Sequence, residues 1–292
     1  MEKRDVLNDM TGCRITQMLG KWCRLTKSGN LHKSAIAFLA ALSLSLQMVI
    51  CSAAVAEYRD AAAGECVVLL HGLWRTGWSM KRIEWALEDA GYPVVNVSYP
   101  SLNHGIEELS VIAVENGVTE CRLRHLDRIS FVTHSLGGIL LRQYLADRDI
   151  VGLHRVVMLA PPNQGSQLAD YYHDAPGFSL FEPAAVAQLG TGEDSLPRRL
   201  GPVSFELGII AGTRNLRAYL PGVPDGPGDG TVSVAETVVP GMLDFIEMPV
   251  GHTFMMWSPA VRDQVLHFLR EGKFDHATVP GPAGDARIAP RF

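Results

Sequence analysis

The chain has 292 residues, 47% of them hydrophobic, with 26 Lys/Arg against 31 Asp/Glu for a formal net charge of −5. That length suits one large α/β domain and is short for two. Residues 1–56 hold seven of the basic and three of the acidic residues, leaving 19 against 28 and a charge of −9 on residues 57–292, a poor fit for nucleic acid or an anionic membrane surface.

Residues 1–33 are basic, Ala35 to Cys51 is an apolar run of 17, and Ala54-Val-Ala56 supplies small residues where a signal peptidase reads. This order predicts an export segment over 1–56, cleaved near Ala56. Met10 or Met18 as the true start would shorten its long basic stretch. An uncleaved membrane anchor is the alternative, although 17 apolar residues are near the short limit for a span. A lipid-bearing Cys51 is disfavoured by Ile50, where a small residue is expected. Cleavage leaves two cysteines, Cys66 and Cys121, and an oxidising compartment predicts a structural disulfide between them.

The run Cys66-Val-Val-Leu-Leu-His-Gly-Leu-Trp74 reads as a buried strand ending in a His-Gly turn. Ser79 to Ala90 follows as a helix stopped by Gly91, then a strand over Pro93 to Tyr99 and a helix over Ile106 to Leu123. Ile129 to Leu141 places Ser135 between an apolar strand and a Gly-Gly that opens a helix running from Gly138 to Ala146. Arg155 to Ala160 is another buried strand. Residues 163–203 interrupt the alternation with Tyr171, Tyr172, Phe178, Leu180 and Phe181 among Gly, Pro and acidic residues. They form either a small cap over Ser135 or an ordinary surface excursion. Phe205 to Ala211 and Asp244 to Met248 are further strands, Ser258 to Leu269 is a terminal helix, and 274–292 has the composition of a disordered tail. The catalytic domain is thus expected over 57–273, as a mostly parallel central sheet with helices on both faces.

Thr133-His-Ser-Leu-Gly-Gly138 has the layout of a nucleophile elbow, in which a serine on a tight strand-to-helix turn projects its hydroxyl out of the sheet. The usual pattern is G-x-S-x-G, and here Thr133 replaces the first glycine. Downstream, Pro227-Gly-Asp-Gly-Thr-Val-Ser-Val234 holds Asp229 between two glycines, and Met248-Pro-Val-Gly-His-Thr-Phe254 puts His252 on the turn after a strand. A serine hydroxyl is a poor nucleophile until a base takes its proton. A carboxylate must in turn fix the tautomer of that base. Ser135, Asp229 and His252 stand in the order those roles require, with Asp225 the rival acid four residues upstream. The backbone N–H groups of Leu73 and Leu136 are the expected oxyanion donors. His71 reads as a loop-ordering residue and His134 as one packed beside the nucleophile. No Cys/His cluster has metal-ligand spacing, so no metal is expected.

Five segments, V-V-L-L-H-G-L, F-V-T-H-S-L-G-G, V-M-L-A-P-P-N-Q-G-S, G-D-G-T-V-S-V and V-G-H-T-F, resemble the successive strand-end motifs of the α/β-hydrolase superfamily, and within it the bacterial lipase/esterase group. The resemblance spans about residues 64–273 and carries over nucleophile, acid, base and oxyanion positions to Ser135, Asp229, His252, Leu73 and Leu136. It implies a serine hydrolase of carboxylic esters with no cofactor; the 1–56 segment makes it an exported one, and the aromatic 163–203 segment with no evident cationic patch points to lipid or other apolar acyl groups as substrate. Trp74, Trp78, Tyr171, Phe178 and Phe181 are the expected pocket residues, and transient contact with a lipid surface accompanies that reading. An acyltransferase or thioesterase on the same triad, or a non-catalytic binding module on the same fold, are the alternatives. Oligomeric state is not legible.

Overall fold

The computed structural model describes Ala62, residues 64–177 and residues 182–279. The export segment expected over 1–56 lies outside them.

Six strands form one sheet in the order β2-β1-β3-β4-β5-β6: β1 Glu65–Leu70, β2 Val94–Val97, β3 Arg128–His134, β4 Leu153–Leu159, β5 Glu206–Gly212 and β6 Asp244–Met248. Every neighbouring pair is parallel. Parallel strands need crossovers, and the crossover helices bury both faces of the sheet. This is why β1 has no polar alternation and is buried at all six positions. Its side chains divide between two cores. Cys66, Val68 and Leu70 pack with helix α2 (Ile106–Leu123) and helix α3 (Leu136–Asp147), whereas Val67 and Leu69 pack with helix α1 (Lys81–Asp89) and the terminal helix Pro259–Glu271. Each fully buried aliphatic side chain contributes on the order of 1.5–3 kcal/mol.

The predicted helix from Ser79 resolves into a 3-10 turn, Gly77–Met80, followed by α1, and the strand expected over 93–99 narrows to Val94–Val97. The terminal helix is capped by the Ser258 hydroxyl, which accepts from Val261 N–H, and ends at Gly272 in the left-handed region at φ +71°. The expected unstructured tail does not begin at 274. Phe274 is buried with its ring 5.0 Å from Phe268, and its N–H donates to Asp244 at 2.7 Å. Val279, partly buried, packs on the same core; the composition of 274–292 masks both anchors, and only residues 280–292 of that stretch lie outside the described chain.

Cys66, at the start of β1, is bonded to Cys121, near the end of α2, with Cα atoms 5.9 Å apart. The bridge sits at the end of the sheet opposite the turn that carries Ser135.

Between β4 and β5 the chain forms helix α4 (Gln167–His173) and two single turns, Ala184–Ala187 and Leu196–Arg199. Asn163 and Gln164 donate from their side chains to the carbonyls of Thr237 and Val238, and the buried Glu236 carboxylate accepts from Gln167 N–H at 2.7 Å. These bonds fasten the root of the insertion to the segment after Asp229 and account for the P-P-N-Q motif. The terminal helix is labelled α5. Among the described residues no helix is long and apolar enough to cross a membrane.

Candidate active site

Ser135 lies between β3 and α3 with φ +52° and ψ −121°. A non-glycine residue seldom occupies this region, and strain of this kind persists only where the surroundings over-determine it. Those surroundings are visible in two glycines. A Cβ on Gly137 would sit 2.6 Å from the Leu70 carbonyl oxygen and 2.8 Å from that of His71, so α3 starts directly against the end of β1. A Cβ on Gly138 would sit 3.2 Å from Thr133 Oγ1. Met158 Sδ and Pro161 Cβ lie nearer still, at 3.1 Å, so the second glycine lets α3 close against the end of β4 as well as against Thr133, which stands where the usual pattern has glycine.

Asp229 is buried, and its Oδ1 accepts from the N–H groups of Thr231 at 2.9 Å and Val232 at 2.8 Å. Its Oδ2 faces His252 Nδ1 at 2.7 Å, and His252 N–H donates to the Asp229 carbonyl at 3.2 Å. Two backbone donors thus aim the carboxylate, and the carboxylate places the proton of His252 on Nδ1, leaving Nε2 free to accept. Asp225 is exposed and takes no part; its N–H donates to Gln167.

Two further histidines brace this arrangement. His71 is buried, with Nδ1 2.9 Å from the Gly72 carbonyl, Nε2 accepting from Tyr99 N–H at 3.3 Å, and its ring stacked 3.9 Å from that of Tyr99. The Tyr99 hydroxyl donates to the His71 carbonyl. Burial lowers the His71 pKa. His134 is buried next to Ser135, and its Nε2 lies 3.1 Å from the His252 carbonyl oxygen, which requires a proton on Nε2. Burial first, then the neighbouring His252 and Arg75, hold its pKa well below the ordinary value. His134 is therefore neutral, and it ties β3 to the loop that presents His252.

Ser135 and His252 line one pocket of about 180 Å³, whose other walls include Leu73, Leu136, Leu168, Val186 and Leu189. Leu136 is the first residue of α3, so its N–H has no acceptor within the helix. Leu73 belongs to the loop after β1, next to Trp74, which itself adopts φ +54°. Of the expected pocket residues, Trp74 lines this pocket. Trp78 does not: it lines a neighbouring groove, of which Trp74 is also a wall. Tyr171 does not either, because it packs on Gly222, and its neighbour Tyr172 faces the pocket instead. Adjacent helical residues point about 100° apart, and aromatic content alone cannot choose between them. Phe178 and Phe181 lie outside the described residues. Leu168, Val186 and Leu189 escaped notice because small aliphatics in a loop-rich segment carry no pattern. They make the 163–203 insertion a wall of the pocket. Among the described residues no group of three His, Cys, Asp or Glu could hold a metal ion.

Comparison with known proteins gives one family and a fold. The profile of the Alpha/beta hydrolase family matches residues 67–282. The mature form of the Bacillus licheniformis lipase BlEst2 superposes with a TM-score of 0.56 at 18% identity, covering 70% of this chain and 91% of that one. Its propeptide form gives the same score and identity over 76% of this chain and 52% of that one. No curated protein sequence matches the chain.

Proposed function

The chain belongs to the alpha/beta hydrolase family, and from that premise we propose that it is a serine hydrolase of carboxylic esters working through an acyl-enzyme. The observation that carries this reading is the 2.7 Å contact between buried Asp229 and His252 Nδ1, in a pocket shared with the strained Ser135. In this reading Ser135 Oγ attacks the ester carbonyl while His252 Nε2 takes its proton. Asp229 stabilises the imidazolium that forms. The N–H groups of Leu73 and Leu136 hold the oxyanion. Collapse of the tetrahedral intermediate expels the alcohol, to which His252 returns the proton. Water then attacks the acyl-enzyme by the same path and releases the acid.

The substrate proposed is an ester with an apolar acyl group. Leu73, Leu168, Val186 and Leu189 support this as the apolar part of a wall that Arg75 and Arg217 also line. At about 180 Å³, the pocket is smaller than the roughly 300 Å³ at the low end of ligand sites, which supports a short acyl group within it. We also propose export. A buried Cys66–Cys121 bridge supports that location, because such bonds persist in oxidising compartments.

The test is the hydrolysis rate of aryl esters with acyl chains from two to sixteen carbons, roughly the range that separates a closed pocket from an open groove, with Ser135→Ala as the blank. A Ser135-dependent rate that falls as the chain lengthens is expected. A rate unchanged in Ser135→Ala contradicts the proposal.

A further inference from the structure

Every tryptophan among the described residues lies at the surface: Trp74 is 54% exposed, Trp78 69%, Trp85 44% and Trp257 50%, with Phe254 at 60%. They are also gathered. Trp74, Trp78, Phe254 and Trp257 line one groove of about 290 Å³, and Arg82 stacks on Trp85 and Trp257 at 5.1 and 5.2 Å from their ring centroids. Exposed aromatics concentrated on one face mark an interaction surface rather than scattered surface apolarity.

Cations are built into the same face. Arg75 lines the groove and donates to Thr253 at 3.3 Å. Arg262 donates to the Trp257 backbone carbonyl at 2.9 Å while Arg82 lies over the Trp257 ring, so two guanidiniums contact this residue. Asp263 lies beside Arg262. The groove adjoins the Ser135 pocket: Trp74, Arg75 and Thr253 line both.

Aromatic faces attract a quaternary ammonium, guanidiniums pair with phosphate, and tryptophan settles at the headgroup level of a bilayer. A phosphocholine headgroup carries both charges. Its zwitterion also suits a domain of net charge −9, which a strongly anionic surface repels. We propose that this face, formed by the 74–85 segment, the 253–257 turn and the start of α5, docks on a phosphocholine lipid surface and sets the Ser135 pocket against it. The proposal concerns binding and does not require the chemistry proposed for Ser135.

The experiment is flotation of residues 57–292, the chain to which the charge of −9 applies, carrying Ser135→Ala, with phosphatidylcholine vesicles and, separately, phosphatidylglycerol vesicles of the same acyl chains. The test protein adds Phe254→Ser and Trp257→Ser. A control adds Arg122→Glu on α2 instead, and thermal melting establishes that each variant is folded. Loss of two rings is expected to weaken binding to phosphatidylcholine about ten-fold, to weaken binding to phosphatidylglycerol less, and to leave the control within about two-fold of the parent. If Phe254→Ser proves misfolded, Trp85→Ser with Trp257→Ser takes its place. Unchanged binding by a folded face variant overturns the proposal. So does an equal fall on both lipids, which would mean that the ammonium is not recognised. Conversion of a dimer to monomer with no change in vesicle binding would assign the face to a second copy of the chain and also overturn it.

Discussion

Gly137 and His134 show how single residues hold the elbow. A Cβ at position 137 meets backbone oxygen on two sides, and backbone cannot swing aside as a side chain can. Gly137→Ala is expected to cost about 3 kcal/mol or more, at the upper end of overpacking effects, read as a lowered denaturation midpoint. His134 acts through another residue, since its Nε2–H holds the His252 carbonyl at 3.1 Å. His134→Ala should therefore lower kcat by about ten-fold or more while KM changes little, the signature of a misplaced base. A parallel fall in both, or none, would remove His134 from that positioning role. Asp229→Asn should be more severe. It presents an amide to His252 Nδ1, favours the wrong tautomer, and by analogy with buried triad carboxylates should reduce kcat by about 10⁴. Trp74 and Ser135, both at positive φ, escape any reading by residue propensity, because their conformation is imposed by their neighbours.

At the scale of elements, the parallel sheet was legible because its strands are buried on both faces and read as continuous Val/Leu/Ile runs. The order of Ser135, Asp229 and His252 along the chain was legible because Ser135 follows β3, His252 follows β6, and Asp229 stands between glycines in the loop after β5. The 163–203 insertion was not legible: its short helical turns are held by side-chain bonds such as that from Thr191 Oγ1 to Asp170 at 2.6 Å, which leave no hydrophobic period. For the same reason Tyr171 and Tyr172 could not be told apart. The Cys66–Cys121 bridge pins β1 to α2 across 55 residues, and the loop-closure relation gives it about 4 kcal/mol. Cys66→Ala with Cys121→Ala should lower unfolding stability by about 2–4 kcal/mol in a denaturant titration. The activity of the remaining folded protein should stay within about two-fold, because the bridge lies at the opposite end of the sheet from Ser135.

For the whole molecule, two buried neutral histidines set an acid limit. The folded-state pKa values of His71 and His134 are depressed, mainly by burial, so the unfolded chain binds more protons than the folded one once pH drops below the ordinary histidine value. Their stabilising contribution is complete above about pH 6.5 and declines as pH falls through the folded values, at up to about 1.4 kcal/mol per pH unit for each group. Unfolding midpoints measured between about pH 7.5 and 5 should fall, and His134→Gln, if folded, should show a shallower slope. The central claim, that the elbow, Asp229 and His252 together make Ser135 a nucleophile, is tested most directly by intact-protein mass spectrometry after exposure to a fluorophosphonate. A single adduct is predicted, located on Ser135, lost in Ser135→Ala and slowed in His252→Ala. A folded protein that gains no adduct, or gains one elsewhere that persists in Ser135→Ala, contradicts it.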